Sequence, residues 1–404
     1  MALNKQTVND IELAGKAVLV RVDYNVPLND DGSVRDDYRI KASLPTIQYL
    51  LHQNCRIILI SHLGRPEGSR NPKFSLKGAA ERLGELLDQS IKFADDCVGP
   101  HVHSAVNELD PMEIMMLENL RFHAGEETND ATFAKELAGL AEVFVQDGFG
   151  VVHRAHASTD AITKLLPSVA GLLLEREANT ISEVMTEPKR PLVAIIGGAK
   201  VSDKIPLLER FVTMADRLII GGAMANTFLK QQGFEIGKST WEEAQELVIQ
   251  RVYNHIEKRF GKNSKPFLEL PESDVAVAKK IDPNERRMEV KTQDVAKDDY
   301  ILDFGRSSTD NVLQAVREAG TVIWNGPLGM TELPQFVYGS MELMTALKEA
   351  EATTIIGGGD TAGFVVSADL DGGKDFDLVS TGGGAALGLM AGQKLPGIEA
   401  LLDK

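Results

Sequence analysis

Five times in the second half of this chain a run of β-forming residues ends in glycine: LVAIIGGAK (192–200), RLIIGGAMANTF (217–228), TVIWNGPLG (321–329), TTIIGGGDT (353–361) and LVSTGGGAA (378–386). Strand, glycine, then a stretch of helical period is the order expected of an α/β protein with a parallel sheet. The carboxyl ends of such strands share one edge, and ligands bind in the crevice beyond it. Glycine is entropically costly to order, so five glycine crests on one edge point to something that comes close to the backbone. A single crest taken alone reads better as a tight strand-to-helix turn, and five crests on one edge reverse that preference.

The first half supplies further strand candidates, AVLVRVD (17–23), RIILIS (56–61), IMMLEN (114–119) and VFVQD (143–147). At 404 residues the chain is too long for one compact core, which predicts two domains. The polar segment TISEVMTEPKRP (180–191), after the apolar LPSVAGLLLE (166–175), reads as a helix and hinge between them. A formal charge of -16 disfavours nucleic acid and anionic membranes as partners, so an anionic ligand must meet a locally basic pocket. Two cysteines, Cys55 and Cys97, are too few for a disulfide framework and fit a reducing compartment, the cytosol. No uninterrupted apolar run reaches the roughly 18 residues of a membrane span, and the first ten residues lack a signal-peptide pattern.

The familiar nucleotide fingerprints fail. GFEIGKS (233–239) has one residue too few between its glycines for a P-loop, and GGGDTAG (357–363) and GGGAALG (382–388) miss the dinucleotide spacing. That removes most support for a nicotinamide dehydrogenase. In STGGGAALGLM, Ser380 or Thr381 is a plausible N-cap, and Gly382, Gly383 and Gly384 would form a first helical turn open to an anion. Asp360, beside a phosphate-binding crest, fits a Mg2+ ligand and equally an N-cap for a helix from Thr361. Pro206 places a helix start near Ser202, with Lys200 in the preceding loop and Lys204 in the first turn, where cations make sense if phosphate is also present.

The first half carries a cluster of another kind. Along VRVDYNVP, Arg21, Asp23 and Asn25 alternate with Val20, Val22, Tyr24 and Val26, giving one polar face. Arg39, His62, Arg65, Arg121, His153 and Arg154 lie in YRIKA, SHLGRP, LRFH and HRAHAS. Guanidinium groups suit bidentate binding of carboxylate and phosphate, so five arginines can hold a small multiply charged anion. Each of them reads separately as a surface ion-pair partner, and the two histidines as core residues. The H-x-x-H spacing of HRAH lacks the further ligands a zinc site needs.

In order and at their intervals, RVDYNVP, SHLGRP, LRFH, HRAHAS, GGAKVSDKI, NGPLGMTE, GGGDT and STGGGA resemble the phosphoglycerate kinase family over essentially the whole chain. The resemblance implies two doubly wound, Rossmann-like parallel-sheet domains facing a cleft and joined by a hinge helix. Residues 1–175 would bind phosphoglycerate, with a tail from about 390 to 404 returning to them, and residues 176–389 would bind nucleotide. The implied reaction is reversible, Mg2+-dependent phosphoryl transfer between 1,3-bisphosphoglycerate and ADP, giving 3-phosphoglycerate and ATP in glycolysis. It implies a cytoplasmic monomer with no nucleic-acid or membrane partner.

Carried over by motif, Arg21, Asp23, Tyr24, Asn25, Arg39, His62, Leu63, Gly64, Arg65, Arg121 and Arg154 would hold or support the glycerate substrate. Lys204, Gly221, Gly222, Asn325, Glu332, Gly358, Gly359, Asp360 and Thr361 would bind nucleotide, Asp360 through Mg2+. Arg39, Lys200 and Gly382 to Gly384 would surround the moving phosphoryl group. A carboxylate acceptor is already ionised at neutral pH, so no general base is needed. The sequence departs from the family pattern at Gly148, Val151, Val152 and Thr331, none of them a charged ligand. The alternative is a catalytically inactive nucleotide-binding protein on the same fold, which would be expected to have lost part of the set Arg39, Lys200, Asp360 and Gly382 to Gly384.

Overall fold

The computed structural model describes residues 3–261, 267–369 and 372–404. The chain forms two compact units, Met1–Ser182 with Gly384–Leu389 and Gln393–Lys404, and Glu183–Gly383 with Met390–Gly392.

The first unit is built on a parallel sheet of six strands, β1 Ala17–Arg21, β2 Arg56–Ile60, β3 Lys92–Ala94, β4 Ile114–Leu117, β5 Val143–Gln146 and β6 Ser168–Ala170, in the order β3-β4-β2-β1-β5-β6. Its strands read as continuous apolar runs because both faces are covered. Val18, Val20, Ile57 and Leu59 enter one core, while Leu19, Ile58, Ile60 and Phe144 enter another on the opposite face. The strand order switches direction at β1, between β2 and β5, and the carboxyl end of that strand is the expected ligand position. β1 stops at Arg21, two residues earlier than the apolar pattern predicts. Asp23 and Asn25 therefore stand on the loop beyond the sheet, while Val22, Tyr24 and Val26 still enter the core.

The hinge candidate differs from expectation. One continuous helix runs Leu172–Thr186, so a boundary after residue 175 would cut its first turn, and 187–191 is the connection that follows. Its start is anchored on Asp147, just after β5. Asp147 Oδ1 accepts from Leu173 N (3.0 Å) and from Thr46 Oγ1 (2.8 Å), and Thr46 Oγ1 accepts from Leu172 N (3.0 Å). Burial pushes the Asp147 carboxyl up to about 7.

The chain end completes the first unit. Leu402 N donates to Ser168 O on β6, Gln6 N donates to Leu402 O, and Lys5 pairs with Asp403 at 2.8 Å.

The second unit holds a parallel sheet in the order β15-β14-β13-β7-β8-β9, made of β7 Leu192–Ile196, β8 Arg217–Ile220, β9 Leu268–Glu269, β13 Thr321–Asn325, β14 Thr353–Gly357 and β15 Leu378–Val379. The five glycine-ended strands are neighbours and parallel, so their crests do share one edge. A small antiparallel sheet, β10 Asp274–Ala278, β11 Met288–Lys291 and β12 Tyr300–Phe304, was not anticipated. Its alanine-rich and charged strands carry little apolar alternation.

Candidate functional site

The first cluster grows from the end of β1. Arg21 is 1% exposed and donates Nε to Ser158 Oγ (2.9 Å), Nη2 to His62 Nδ1 (3.1 Å) and Nη1 to Val22 O. With Nδ1 accepting, the His62 proton sits on Nε2. Burial, then the charges of Arg21, Arg121, Arg154 and Arg39, hold this imidazole well below its ordinary pKa, so it is neutral at pH 7. A single buried histidine that feels four guanidiniums marks the centre of the cluster.

The surrounding loops are cross-tied. Arg39 Nη1 donates to Asn25 O (2.8 Å) and lies 3.4 Å from Asp23 Oδ2. Asn25 Oδ1 accepts from Gly64 N (2.9 Å), and Arg121 Nη1 donates to Gly64 O (2.7 Å). Arg121 Nη2 pairs with Glu127 at 3.0 Å, and Arg154 Nε donates to His153 Nε2 at 3.1 Å. Burial lowers the Arg121 pKa, Glu127 opposes, and Arg154 and Arg65 add to the fall, which brings Arg65 into the same field. Among the described residues, the acids seen to interact with these arginines are Asp23, Glu126 and Glu127. Five guanidiniums against three carboxylates leave an excess of two positive charges, which suits a multiply charged anion.

Two expected substrate residues serve from behind. Tyr24 is fully buried with its hydroxyl 2.8 Å from Ser43 Oγ, and burial pushes its phenol pKa up, so its side chain belongs to the core. Leu63 is also buried, and its backbone N and O both engage Asn119. Sequence reasoning missed Asn119. Its side chain also receives Arg121 N and donates to Phe74 O, holding the Gly64 loop and Arg121 together. The signal was an amide directly after an apolar strand, in IMMLENLR. It missed Glu126 too, which is wholly buried and takes both Ser158 N (3.0 Å) and Ser158 Oγ (2.7 Å) beneath Arg21. Of the departures, Gly148 sits where a Cβ would come 3.2 Å from the backbone of Val22, so glycine relieves a tight contact. Val151 and Val152 are core residues, and Val152 O accepts from Gly397 N at 2.9 Å.

The second cluster lies along the glycine crests. A cavity of about 270 Å3 is lined by Gly198, Ala199, Gly222, Leu328, Glu332 and Asp360 together with Tyr300, Ile301 and Leu302 of β12. Gly222 has φ +62°, and a Cβ there would stand 2.7 Å from Gly198 N, so these two crests meet backbone to backbone. Gly221 caps the helix Gly222–Gln231. Lys204 Nζ donates to Gly197 O (2.6 Å), Asn325 O (3.1 Å) and Asn325 Oδ1 (2.6 Å), and burial lowers its pKa to about 8 although Asp360 and Asp203 oppose this. Asn325 Nδ2 is buried without a hydrogen-bond partner among the described residues and lies where a Cβ on Gly358 would come 3.0 Å from it.

Several sequence expectations need correction here. The helix after β14 runs Gly359–Ala368 with Gly358, at φ +91°, as its N-cap, so Asp360 is a first-turn residue and not the cap. It is exposed and lines the cavity, and one carboxylate beside an anion pocket fits the donor set of Mg2+. Thr361 is fully buried and its Oγ1 accepts from Gly326 N at 2.6 Å, so its hydroxyl is spent inside the fold. Helical structure does begin at Ser202 as expected, with a 3-10 turn Ser202–Lys204 leading into the helix Ile205–Met214. Lys200 is exposed in the loop before it, and its charge helps lower the pKa of Glu242. Of the last three glycines only Gly384 is helical. Gly382 N donates to Ser380 Oγ (3.0 Å), and Gly383 has φ +41°.

Comparison with known proteins identifies the family. The family model for phosphoglycerate kinase matches residues 8–393. The phosphoglycerate kinase of Pelotomaculum thermopropionicum is 44% identical over 400 residues, 99% of this chain and 100% of that protein. The one from Desulfosudis oleivorans is 45% identical over 397 residues, 98% of each chain. Among solved structures, phosphoglycerate kinase from Coxiella burnetii superposes with a TM-score of 0.83 at 35% identity, covering 98% of both chains. The crystal structure of the Pyrococcus horikoshii enzyme gives 0.85 at 28% identity, again over 98% of both. With the strand order, the arginine cluster and the glycine-lined cavity in hand, the chain belongs to the phosphoglycerate kinase family and is a phosphotransferase whose acceptor is a carboxyl group.

Proposed function

We propose that the first unit holds the glycerate substrate in the arginine cluster, that the cavity of the second unit holds ADP or ATP, and that Mg2+ accompanies the nucleotide. The observation that carries this reading is the neutral His62 set among Arg21, Arg39, Arg121 and Arg154. A small anion with both phosphate and carboxylate groups matches that field, and the His62 Nε2–H is a donor to it that adds no charge.

The acceptor carboxylate is ionised at neutral pH, so the residues need only orient it and stabilise charge in the transition state. Arg39, held by Asn25 O and Asp23 at the loop edge, is the guanidinium we assign to the carboxyl and transferring phosphoryl groups. Lys204 and Lys200, with the N–H groups of Gly383 and Gly384, are assigned to the nucleotide phosphates, while Gly382 N is taken by Ser380 Oγ and shapes the crest. Asp360 would hold Mg2+, which when bound supplies charge neutralisation on the phosphates. Glu332 lines the cavity and is assigned to the ribose. The first unit with the tail is the glycerate domain and the second unit the nucleotide domain in this reading, which also takes the protein as a cytoplasmic monomer. No helix among the described residues is long and apolar enough to cross a membrane.

A coupled assay with 3-phosphoglycerate, ATP and Mg2+ tests the proposal, with turnover expected only when all three are present. Turnover that persists without 3-phosphoglycerate would assign the activity to ATP hydrolysis instead.

A further inference from the structure

One buried acid in the second unit has no role in the reaction as described. Asp303, on β12, is 2% exposed, and its carboxylate accepts from Phe304 N (2.9 Å) and from Gly339 N (3.1 Å). Arg287 Nη1 lies 3.6 Å away, while the same guanidinium donates to Phe304 O and covers the Tyr338 ring at 5.1 Å. Burial pushes the carboxyl up to about 7, whereas the Gly339, Phe304 and Tyr338 N–H groups and the Arg287 charge favour its ionised form.

The atoms around Asp303 belong to the connection from β13 to the helix Tyr338–Glu349. A Cβ on Gly329 would stand 2.3 Å from Asp303 Oδ1, and one on Gly339 would stand 2.9 Å from it. No side chain fits between that connection and the acid. Met330 N donates to Leu302 O (2.8 Å), and Leu333 and Phe336 pack on Ala276 and Ala278 of β10. The outer side of the same connection supplies Leu328, Gly329, Met330 and Glu332 to the cavity wall, and Leu328 O accepts from Gly222 N (2.9 Å). The carboxylate thus bonds one end of this loop at Gly339 and packs closely against the other at Gly329, and the loop's outer face is the cavity.

We propose that Asp303 is a positioning residue for the nucleotide, fixing the 326–339 connection so that Glu332 and the Gly329 backbone face the cavity. The inference rests on the reading of that cavity as the nucleotide site. It assigns a binding function to a buried acid at the cavity wall whose carboxylate is taken up by backbone N–H groups.

Two variants test it, Asp303→Asn, which sets an amide against N–H donors, and Gly329→Ala, which displaces the loop from the acid. Each is purified, checked for folding by circular dichroism, and assayed for kcat and for KM toward nucleotide and toward 3-phosphoglycerate. The expected result is a nucleotide KM raised about tenfold, the scale of one hydrogen bond to a charged group, with kcat and the 3-phosphoglycerate KM within about twofold. Calorimetry of the unaltered protein with MgADP separates the two ideas. If the unaltered protein binds no MgADP, the cavity reading falls and this inference falls with it. If it binds, and either folded variant keeps an unchanged nucleotide KM or raises both substrates' KM alike, the positioning role alone is overturned. Should Asp303→Asn fail to fold, Gly329→Ala decides by the same criteria.

Discussion

Replacing Arg21 by methionine should do more harm to the fold than its distance from solvent would indicate. The side chain is buried and linked through Ser158 Oγ, 2.9 Å from Arg21 Nε and 2.7 Å from Glu126 Oε1, to an acid that is itself wholly buried. Methionine fills much of the volume but leaves Glu126 without its principal opposite charge, since Arg21 is the first of the groups that lower the Glu126 pKa against burial. Removing one partner of a direct buried pair costs about 3–5 kcal/mol, and because Ser158 stands between these two charges that range is the upper end expected here. In a unit of about 200 residues, each kcal/mol moves the midpoint by about 2–4 °C, so a fall on the order of 10 °C is expected in thermal unfolding. The double variant Arg21→Met/Glu126→Gln should recover part of the loss, with a coupling of about 0.5–3 kcal/mol. The sign of the pH effect is also fixed. Without Arg21 the folded-state pKa of Glu126 lies further above its unfolded value, so the folded state binds the proton more tightly and the deficit shrinks as pH falls from 8 toward 5. A loss under about 1 kcal/mol, or a double variant that simply adds the two single effects, would refute the argument.

Arg39→Ala should lower kcat by about a hundredfold or more while leaving nucleotide affinity nearly unchanged, as measured by steady-state kinetics beside calorimetry. Asp360→Asn should weaken binding of the Mg2+ nucleotide by about tenfold and spare 3-phosphoglycerate; equal loss of both ligands in calorimetry would point to misfolding. Binding of 3-phosphoglycerate near pH 6 should take up protons, because burial and the arginine charges depress His62 and hold His156 at about 4, and a bound anion offsets those charges. Calorimetry in buffers of different ionisation enthalpy reads the uptake directly, and none at all would remove the histidines from the anion's field. Both substrates together should compact the protein more than either alone, and an unchanged radius of gyration in small-angle scattering with both bound would count against closure.

The parts of the fold that were readable in the sequence are those where one physical requirement dominates several neighbouring residues. A strand covered on both faces needs an unbroken apolar run, and LVAII and RIILI could be little else. Backbone meeting backbone needs glycine, as Gly222 against Gly198 shows. The charged residues of the first cluster were readable because Asp23, Arg65 and Arg154 on loops, and Arg39 at the start of the helix Tyr38–His52, fit no apolar pattern. The small sheet was not readable: β11, MEVK, is largely exposed, so its pairing leaves no apolar pattern. The supporting polar residues were hidden for a different reason. Asn119, Glu126 and Asp303 act through neighbours distant in sequence, and a single buried amide or acid has no periodicity. Tyr24 was carried to the site by motif alone; the alternation along VRVDYNVP already set it with the valines, and although the strand ends at Arg21 its side chain does enter the core.

The tail that closes the first unit sets an order of events during synthesis. β6 receives Leu402 N, Gln6 N reaches Leu402 O, and Val152 O receives Gly397 N, so the earliest-made sheet is finished by the latest-made residues. Roughly 200 residues of the second unit are translated in between, which at roughly 5–20 residues per second is roughly 10–40 s. For that interval the nascent first unit carries an unfinished flank, the kind of exposed edge on which chaperones act and at which neighbouring nascent chains can exchange segments. A circular permutant that joins Lys404 to Met1 and opens a surface loop of the second unit would make the first unit contiguous in translation, and it should emerge from the ribosome protease-resistant before the rest of the chain is made.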